Sequence, residues 1–245
     1  AELVIEITKG SDNPYRIALI PFQGESSIAK QANEIVKNDL IRTGEFYIFD
    51  EKSLIAYPPS EDDINYSDWR LINADYLLLT SVIESNSGIE ARYEIFDVRK
   101  KSKIRSSKVY GVSNNVRQLS HYVSDGIYEA ITGIQGVAST KILYVSQTND
   151  LDASYRLYVA DADGANEQLL VKSPEPIISP AWSPDSKKVA YVSFETGIAN
   201  VYIQDISTGE RQSIIKKRCL TCITNEQISS PSWSPDGKYL SLTLY

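Results

Sequence analysis

Apolar positions recur with two different periods along this chain, and the change of period divides it. In the first 135 residues, short apolar runs are interleaved with helical stripes. Leu3-Val-Ile-Glu-Ile-Thr is a short strand candidate that ends at the break Gly10-Ser-Asp-Asn-Pro14. Arg16-Ile-Ala-Leu-Ile-Pro-Phe is an apolar run of the kind a buried strand carries. Ile28, Ala32, Ile35, Val36 and Leu40 follow the i, i+4, i+7, i+8 rule, with Ser26 or Ser27 as cap and Gly44 past the end. Phe46–Phe49 predicts a strand, Tyr57–Asp63 a loop, Tyr66–Ile72 a short helix and Tyr76–Ile83 an apolar strand. Ile89–Val98 and Ile104–Val112 predict a hairpin around the basic turn Arg99–Lys103. Val116, Leu119, Val123, Ile127, Ala130 and Ile131 then stripe a second helix that Gly133 stops. Interleaved strands and helices predict an α/β domain over residues 1–135, with Ile134–Thr140 as linker.

From Lys141 onward every predicted element is a strand or a turn, and the pattern repeats. Ser179-Pro-Ala-Trp-Ser-Pro-Asp-Ser-Lys reappears as Ser230-Pro-Ser-Trp-Ser-Pro-Asp-Gly-Lys, with Trp182 and Trp233 51 positions apart. Lys141-Ile-Leu-Tyr-Val-Ser matches Lys188-Val-Ala-Tyr-Val-Ser, and Leu157-Tyr-Val-Ala-Asp matches Val201-Tyr-Ile-Gln-Asp. Ser-Pro-Asp-Gly between apolar runs is turn chemistry, because Pro presets φ, Asp bonds backbone two residues on and Gly accepts φ > 0. Ser186 replaces Gly in the first copy, which fits if that position does not need φ > 0. Tyr158 and Tyr202 are only 44 apart, so an insertion near Lys216–Asn225 accounts for the longer Trp spacing. A period of 40–50 residues built of strands predicts four-stranded β-propeller blades. Residues 141–245 then hold about two and a quarter blades, three strands before the first full one, and a longer native chain is expected. The expected fold is thus α+β multidomain: an N-terminal α/β domain followed by an incomplete propeller.

Composition narrows the function. The net charge is −7 and the pI about 4.9, which argues against nucleic acid or an anionic membrane as the main partner. No apolar run approaches the ~20 residues that span a bilayer. The chain begins at Ala1 and enters a strand-like segment, as a signal-cleaved or trimmed protein does. No G-x-S-x-G, P-loop or G-x-G-x-x-G occurs, so an enzyme is the weaker class. His121, one position after Ser120 and off the apolar stripe, reads as an exposed or half-buried structural residue. Arg99, Lys100, Lys101, Lys103, Arg105 and Lys108 form a basic cluster whose plain reading is a solvated hairpin tip and whose sharper one is contact with an acidic partner. Trp182 and Trp233, equivalent by repeat, read as inter-blade packing rather than ligand stacking.

Tyr144-Val-Ser-Gln-Thr-Asn, the Ser173–Asp185 block and Tyr191-Val-Ser-Phe-Glu-Thr-Gly resemble the TolB family of Tol–Pal envelope proteins. So do Ile17-Ala-Leu-Ile-Pro-Phe in the first domain and Ile131-Thr-Gly-Ile-Gln-Gly at the linker. The resemblance implies a six-bladed propeller, no enzymatic activity and no cofactor. It also implies a monomeric periplasmic adaptor that maintains outer-membrane integrity and its invagination at division, touching the membrane only through partners. By that resemblance the lipoprotein Pal is bound through the propeller and TolA through Glu2, Leu3, Val4, Ile5, Glu6, Ile7 and Thr8; the loop ahead of the second Trp motif, leading to the channel mouth, makes Gln227, Ile228 and Ser229 the expected Pal contacts. The alternative is the propeller of an α/β-hydrolase-type serine peptidase whose catalytic half lies elsewhere. For Cys219 and Cys222, a metal site lacks ligands; in an oxidising compartment a local disulfide is expected ahead of free thiols. Glu2–Thr8 reads either as a docked edge strand or as a segment that pairs with a partner's sheet.

Overall fold

The computed structural model describes residues 11, 13–24, 27–85, 88–112, 115–148, 154–214 and 228–244. The chain divides into two compact units at Ser139 and Thr140.

In the first unit, β1 (Tyr15–Leu19), β2 (Phe46–Ile48), β3 (Tyr76–Ser85), β4 (Gly88–Asp97) and β5 (Ser102–Gly111) form one sheet in the order β2-β1-β3-β4-β5. β1 runs parallel to β2 and β3, while β3, β4 and β5 form an antiparallel meander. Helices α1 (Ser27–Arg42) and α3 (Val116–Thr132) cover one face. Ile17, Leu19, Leu78, Tyr93 and Ile95 point there and bury Val36, Leu40, Val123 and Ile127. The opposite face packs Ala18, Ile20, Leu77, Leu79 and Phe96 beneath Trp69 of the short helix α2 (Tyr66–Leu71). β1 and β3 are therefore apolar on both faces, which is why their sequences read as unbroken apolar runs.

The helix ends follow the sequence signals. Asn115 caps α3 by accepting from the Gln118 amide (3.2 Å), and Gly133 ends it with φ +75°. The stretch from Ile134, expected as a linker, contains the boundary between the units and folds back along α3 before it. There the Asp125 carboxylate accepts from the Ala138 and Ser139 amides at 2.6 and 3.0 Å.

The second unit is all β. β6 (Lys141–Thr148), β7 (Ser154–Asp161) and β8 (Gln168–Ser173) form one antiparallel sheet. β9 (Ile177–Trp182), β10 (Lys188–Ser193), β11 (Asn200–Asp205) and β12 (Arg211–Ser213) form a four-stranded one, and β13 (Ile228–Trp233) pairs with β14 (Leu240–Leu244). This is the expected succession of blades. Leu157, Val171, Ile177, Val189, Tyr191 and Tyr202 form a single core spanning the first two sheets. Repeat equivalence extends to side chains: Tyr144 stacks on Tyr158 across β6 and β7, as Tyr191 stacks on Tyr202 across β10 and β11.

Candidate partner-binding surfaces

The repeated motif folds the same way twice. Ser183 Oγ donates to Asp185 (2.7 Å) while accepting from the Lys188 amide (2.9 Å), and the Asp185 carboxylate accepts from the Lys187 amide (3.1 Å). Ser234, Asp236, Lys238 and Tyr239 repeat this bonding. The Ser183 and Ser234 hydroxyls hold the Asp185 and Asp236 carboxyls below their ordinary value. The turn does need a left-handed residue: φ is +57° at Ser186 and +70° at Gly237. The condition under which serine would fit without cost is not met, and the first copy carries strain that the second avoids.

One turn earlier in each repeat, a bulge interrupts the strand pairing. Ser179 and Ser230, each followed by Pro, have φ of +51° and +53°, and the register shifts there in β9–β10 and β13–β14. Such bulges re-aim side chains at the rim of a sheet. Ile178, Ser179 and Ser230 are exposed, and Ser229 is half-buried and paired with Thr243. Of the residues expected at a Pal-type surface, Ile228 and Ser229 start β13, while Gln227 lies outside the described residues. So do Glu2–Thr8, Cys219 and Cys222.

The Trp residues pack between repeats. Trp233 Nε1–H donates to the Ala181 carbonyl at 3.3 Å, 52 positions back, and Trp182 leans on the core containing Leu157 and Val171. Gln204 ties the first two sheets together, donating to the Leu170 carbonyl and accepting from the Tyr191 hydroxyl.

The basic hairpin is largely self-neutralised. Arg99 faces Asp75 (2.7 Å), Lys100 Asp97 (3.4 Å), Arg105 Glu129 (3.6 Å) and Lys108 Glu90 (3.7 Å). Lys103 sits between Glu61 (2.6 Å) and Glu94 (2.9 Å), and these hydrogen bonds, Glu61 first, raise its pKa. A cleft of about 300 Å³ lies beside it, lined by Gln23, Leu79, Ser81, Arg92, Glu94 and Lys108 among others. Its charges are paired as well, Arg92 with Glu90 and Glu94 with Lys103, so it offers little net field to an ionic ligand.

A polar cluster that the sequence reading missed lies between α1 and α3. His121 is only 1% exposed, not half-exposed as expected, and Asp39, Ser120 and Ser124 are buried with it. His121 Nδ1 is 2.7 Å from Asp39 Oδ2, to which Ser124 Oγ also donates (2.8 Å), while Arg42 bonds Oδ1 (3.0 Å). A hydrolytic triad needs the imidazole between the hydroxyl and the carboxylate. Here the carboxylate is central and Ser124 bonds Asp39 and the Ser120 carbonyl instead, so the arrangement braces two helices. Because Asp39 and His121 are 82 positions apart, no spacing within either helix signals the pair.

Among the described residues no helix is long and apolar enough to cross a membrane. Comparison with known proteins then identifies the architecture. Residues 3–104 match the family described as TolB amino-terminal domain, and residues 128–245 the one described as TolB beta propeller domain. The Tol-Pal system protein TolB of Alcanivorax borkumensis is 37% identical over all of this chain and 55% of its own length. That of Hahella chejuensis is 40% identical over 87% of this chain and 51% of its own. A crystal structure of TolB from Acinetobacter baumannii, 37% identical, matches 95% of this chain and 55% of that one with a TM-score of 0.81. The chain spans about half the length of the curated relatives it matches. It belongs to the TolB family.

Proposed function

We propose that this chain acts in a Tol–Pal envelope system as a non-enzymatic adaptor of the periplasm, coupling two protein partners. The observation that carries the reading is the co-linear match of both units to TolB relatives named for that system, at 37–40% identity. The fold suits the role. A propeller unit keyed together by Trp233, Gln204 and the stacked tyrosines is a rigid platform for partner-binding residues. In this reading the residues from Gln227 to Ser229 contact a Pal-type lipoprotein. Glu2–Thr8 pairs as an added strand with a TolA-type protein, main-chain bonds supplying affinity and alternate side chains specificity.

Titrations of Pal and TolA against two variants test it. Gln227→Lys should weaken Pal binding and spare TolA, whereas deleting residues 1–8 should do the reverse. If both partners bias one state of the N-terminal segment, each changes the other's affinity by the same factor. TolA binding that survives the deletion, or Pal binding lost with it, sinks the two-site reading.

A further inference from the structure

β5 (Ser102–Gly111) is an edge of the first unit's sheet, and its outer side is bare. Every residue in it is exposed or half-buried, whereas β2 at the opposite edge is only three residues long. Among the described residues, no hydrogen bond joins the main chain of residues 105–111 to anything but β4. An antiparallel strand turns the amide and carbonyl of alternate residues to each side, so this edge holds a row of free donors and acceptors. Pairing with β4 is regular from Ile89 opposite Gly111 to Ile95 opposite Arg105, then shifts and skips Ile104. That bulge bounds the usable edge at Arg105.

Side chains decide what the edge accepts. β5 carries Lys103, Arg105 and Lys108 and no carboxylate. Arg105 reaches Glu129 only at 3.6 Å and Lys108 reaches Glu90 only at 3.7 Å, and both cations are well exposed. Ion pairs so placed contribute little, and their cations turn to a new carboxylate at small cost. Val109 packs toward the helices, so Ser106, Lys108 and Tyr110 share the opposite face, and Tyr110 is 70% exposed. A carboxylate opposite Lys108 and an apolar side chain opposite Tyr110 make the favourable cross-strand pairs.

Two other occupants fit less well. A second β5 meeting this one edge to edge would set cation against cation, which is how edge lysines discourage self-pairing. The chain's own Glu2–Thr8 falls short: the Ser11 amide bonds the Gly44 carbonyl beside β2, and a strand outside β5 lies five spacings farther, about 24 Å. The chain from Thr8 to Ser11 spans at most about 10 Å.

We propose that residues 105–111 of β5 are a docking edge for an extended acidic strand of another protein, added to the sheet as a sixth strand. Main-chain bonds supply the affinity, and Arg105 and Lys108 select the carboxylates. The edge uses none of the residues given above to Pal or TolA.

The probe is a capped peptide alternating glutamate and valine over about seven residues, titrated into the whole chain with amide exchange followed residue by residue. Alternate amides within residues 105–111 should exchange freely without it and at least tenfold more slowly at saturation. A fully N-methylated peptide keeps the charge but cannot donate, and a lysine–valine peptide keeps the donors but reverses the charge. Both should bind at least tenfold more weakly. Arg105→Glu combined with Lys108→Glu should reverse the preference and take the lysine–valine peptide, which also shows that the variant folds. Unchanged exchange along β5, equal binding of the N-methylated peptide, or an unaltered preference in the double variant overturns the proposal. A dimer in sedimentation equilibrium that protects the same amides would give the edge to a second copy and overturn it too.

Discussion

Asp39 and His121 meet at 2.7 Å in the seam between α1 and α3, both almost fully buried. Because the carboxylate also receives Ser124 and Arg42, Asp39→Ala removes an acceptor that three side chains share, and His121 and Ser124 are buried beside it. Leaving a buried hydrogen-bonding group without its partner costs about 1–3 kcal/mol. Urea unfolding of the first unit should register that loss, and Asp39→Asn, which keeps an acceptor, should lose less. A change below about 1 kcal/mol in the alanine variant would mean that the helices do not depend on the cluster.

Gly126 gives an inverted result for a helical glycine. Replacing glycine inside a helix by alanine ordinarily gains about 1 kcal/mol. Here a Cβ would overlap the hydroxyl of Tyr93, which is buried in β4, so α3 must lift from the sheet. Gly126→Ala should destabilise by about 1–3 kcal/mol. Thermal unfolding with an unchanged or raised midpoint would contradict this packing.

Ser186→Gly should stabilise the second unit by about 0.5–1 kcal/mol, since it relieves a left-handed serine at some cost in unfolded-chain entropy. Gly237→Ser should do the opposite at the equivalent turn, where φ is +70°. Equal midpoints for both variants and wild type would show that the two turns carry no such strain.

Trp233→Phe retains an aromatic ring but leaves the Ala181 carbonyl without its indole donor, at a cost of about 1 kcal/mol. Trp233→Ala, which also empties the inter-blade contact, should cost about 3 kcal/mol. Denaturant midpoints separate the two, and identical losses would assign the whole effect to packing.

Acid should weaken the second unit through its turns. Asp185, Asp205 and Asp236 are held below the ordinary 3.8, chiefly by the hydroxyls of Ser183, Ser207 and Ser234. A carboxyl depressed in the folded state contributes stability that is complete above its unfolded pKa and is lost as pH falls through the folded one. Melting curves should therefore be flat from pH 7 to about 5 on this account and decline below about 4. The triple Asp→Asn variant should start lower at neutral pH and decline less. A parallel decline would place the acid sensitivity elsewhere.

The elements legible in sequence are those whose own residues carry the signal. α1 and α3 announce themselves through apolar stripes and caps, β1 and β3 through runs buried on both faces, and the blades through repetition, which also assigns Trp182 and Trp233 to packing. The misses share a different cause. His121 depends on a partner 82 positions away, and spacing along α3 cannot report that Asp39 awaits it. Ser186 adopts a glycine's conformation without being glycine, so the substitution hid the need. The bonds from Asp125 to the Ala138 and Ser139 amides were hidden because a side chain bonding to backbone has no periodicity.

Trp233 docks on the preceding sheet, and Trp182 on a core to which both β6–β8 and β9–β12 contribute, so neighbouring sheets share their apolar interior. Losing one sheet uncovers apolar surface on the next, and the second unit should therefore melt as one block rather than sheet by sheet.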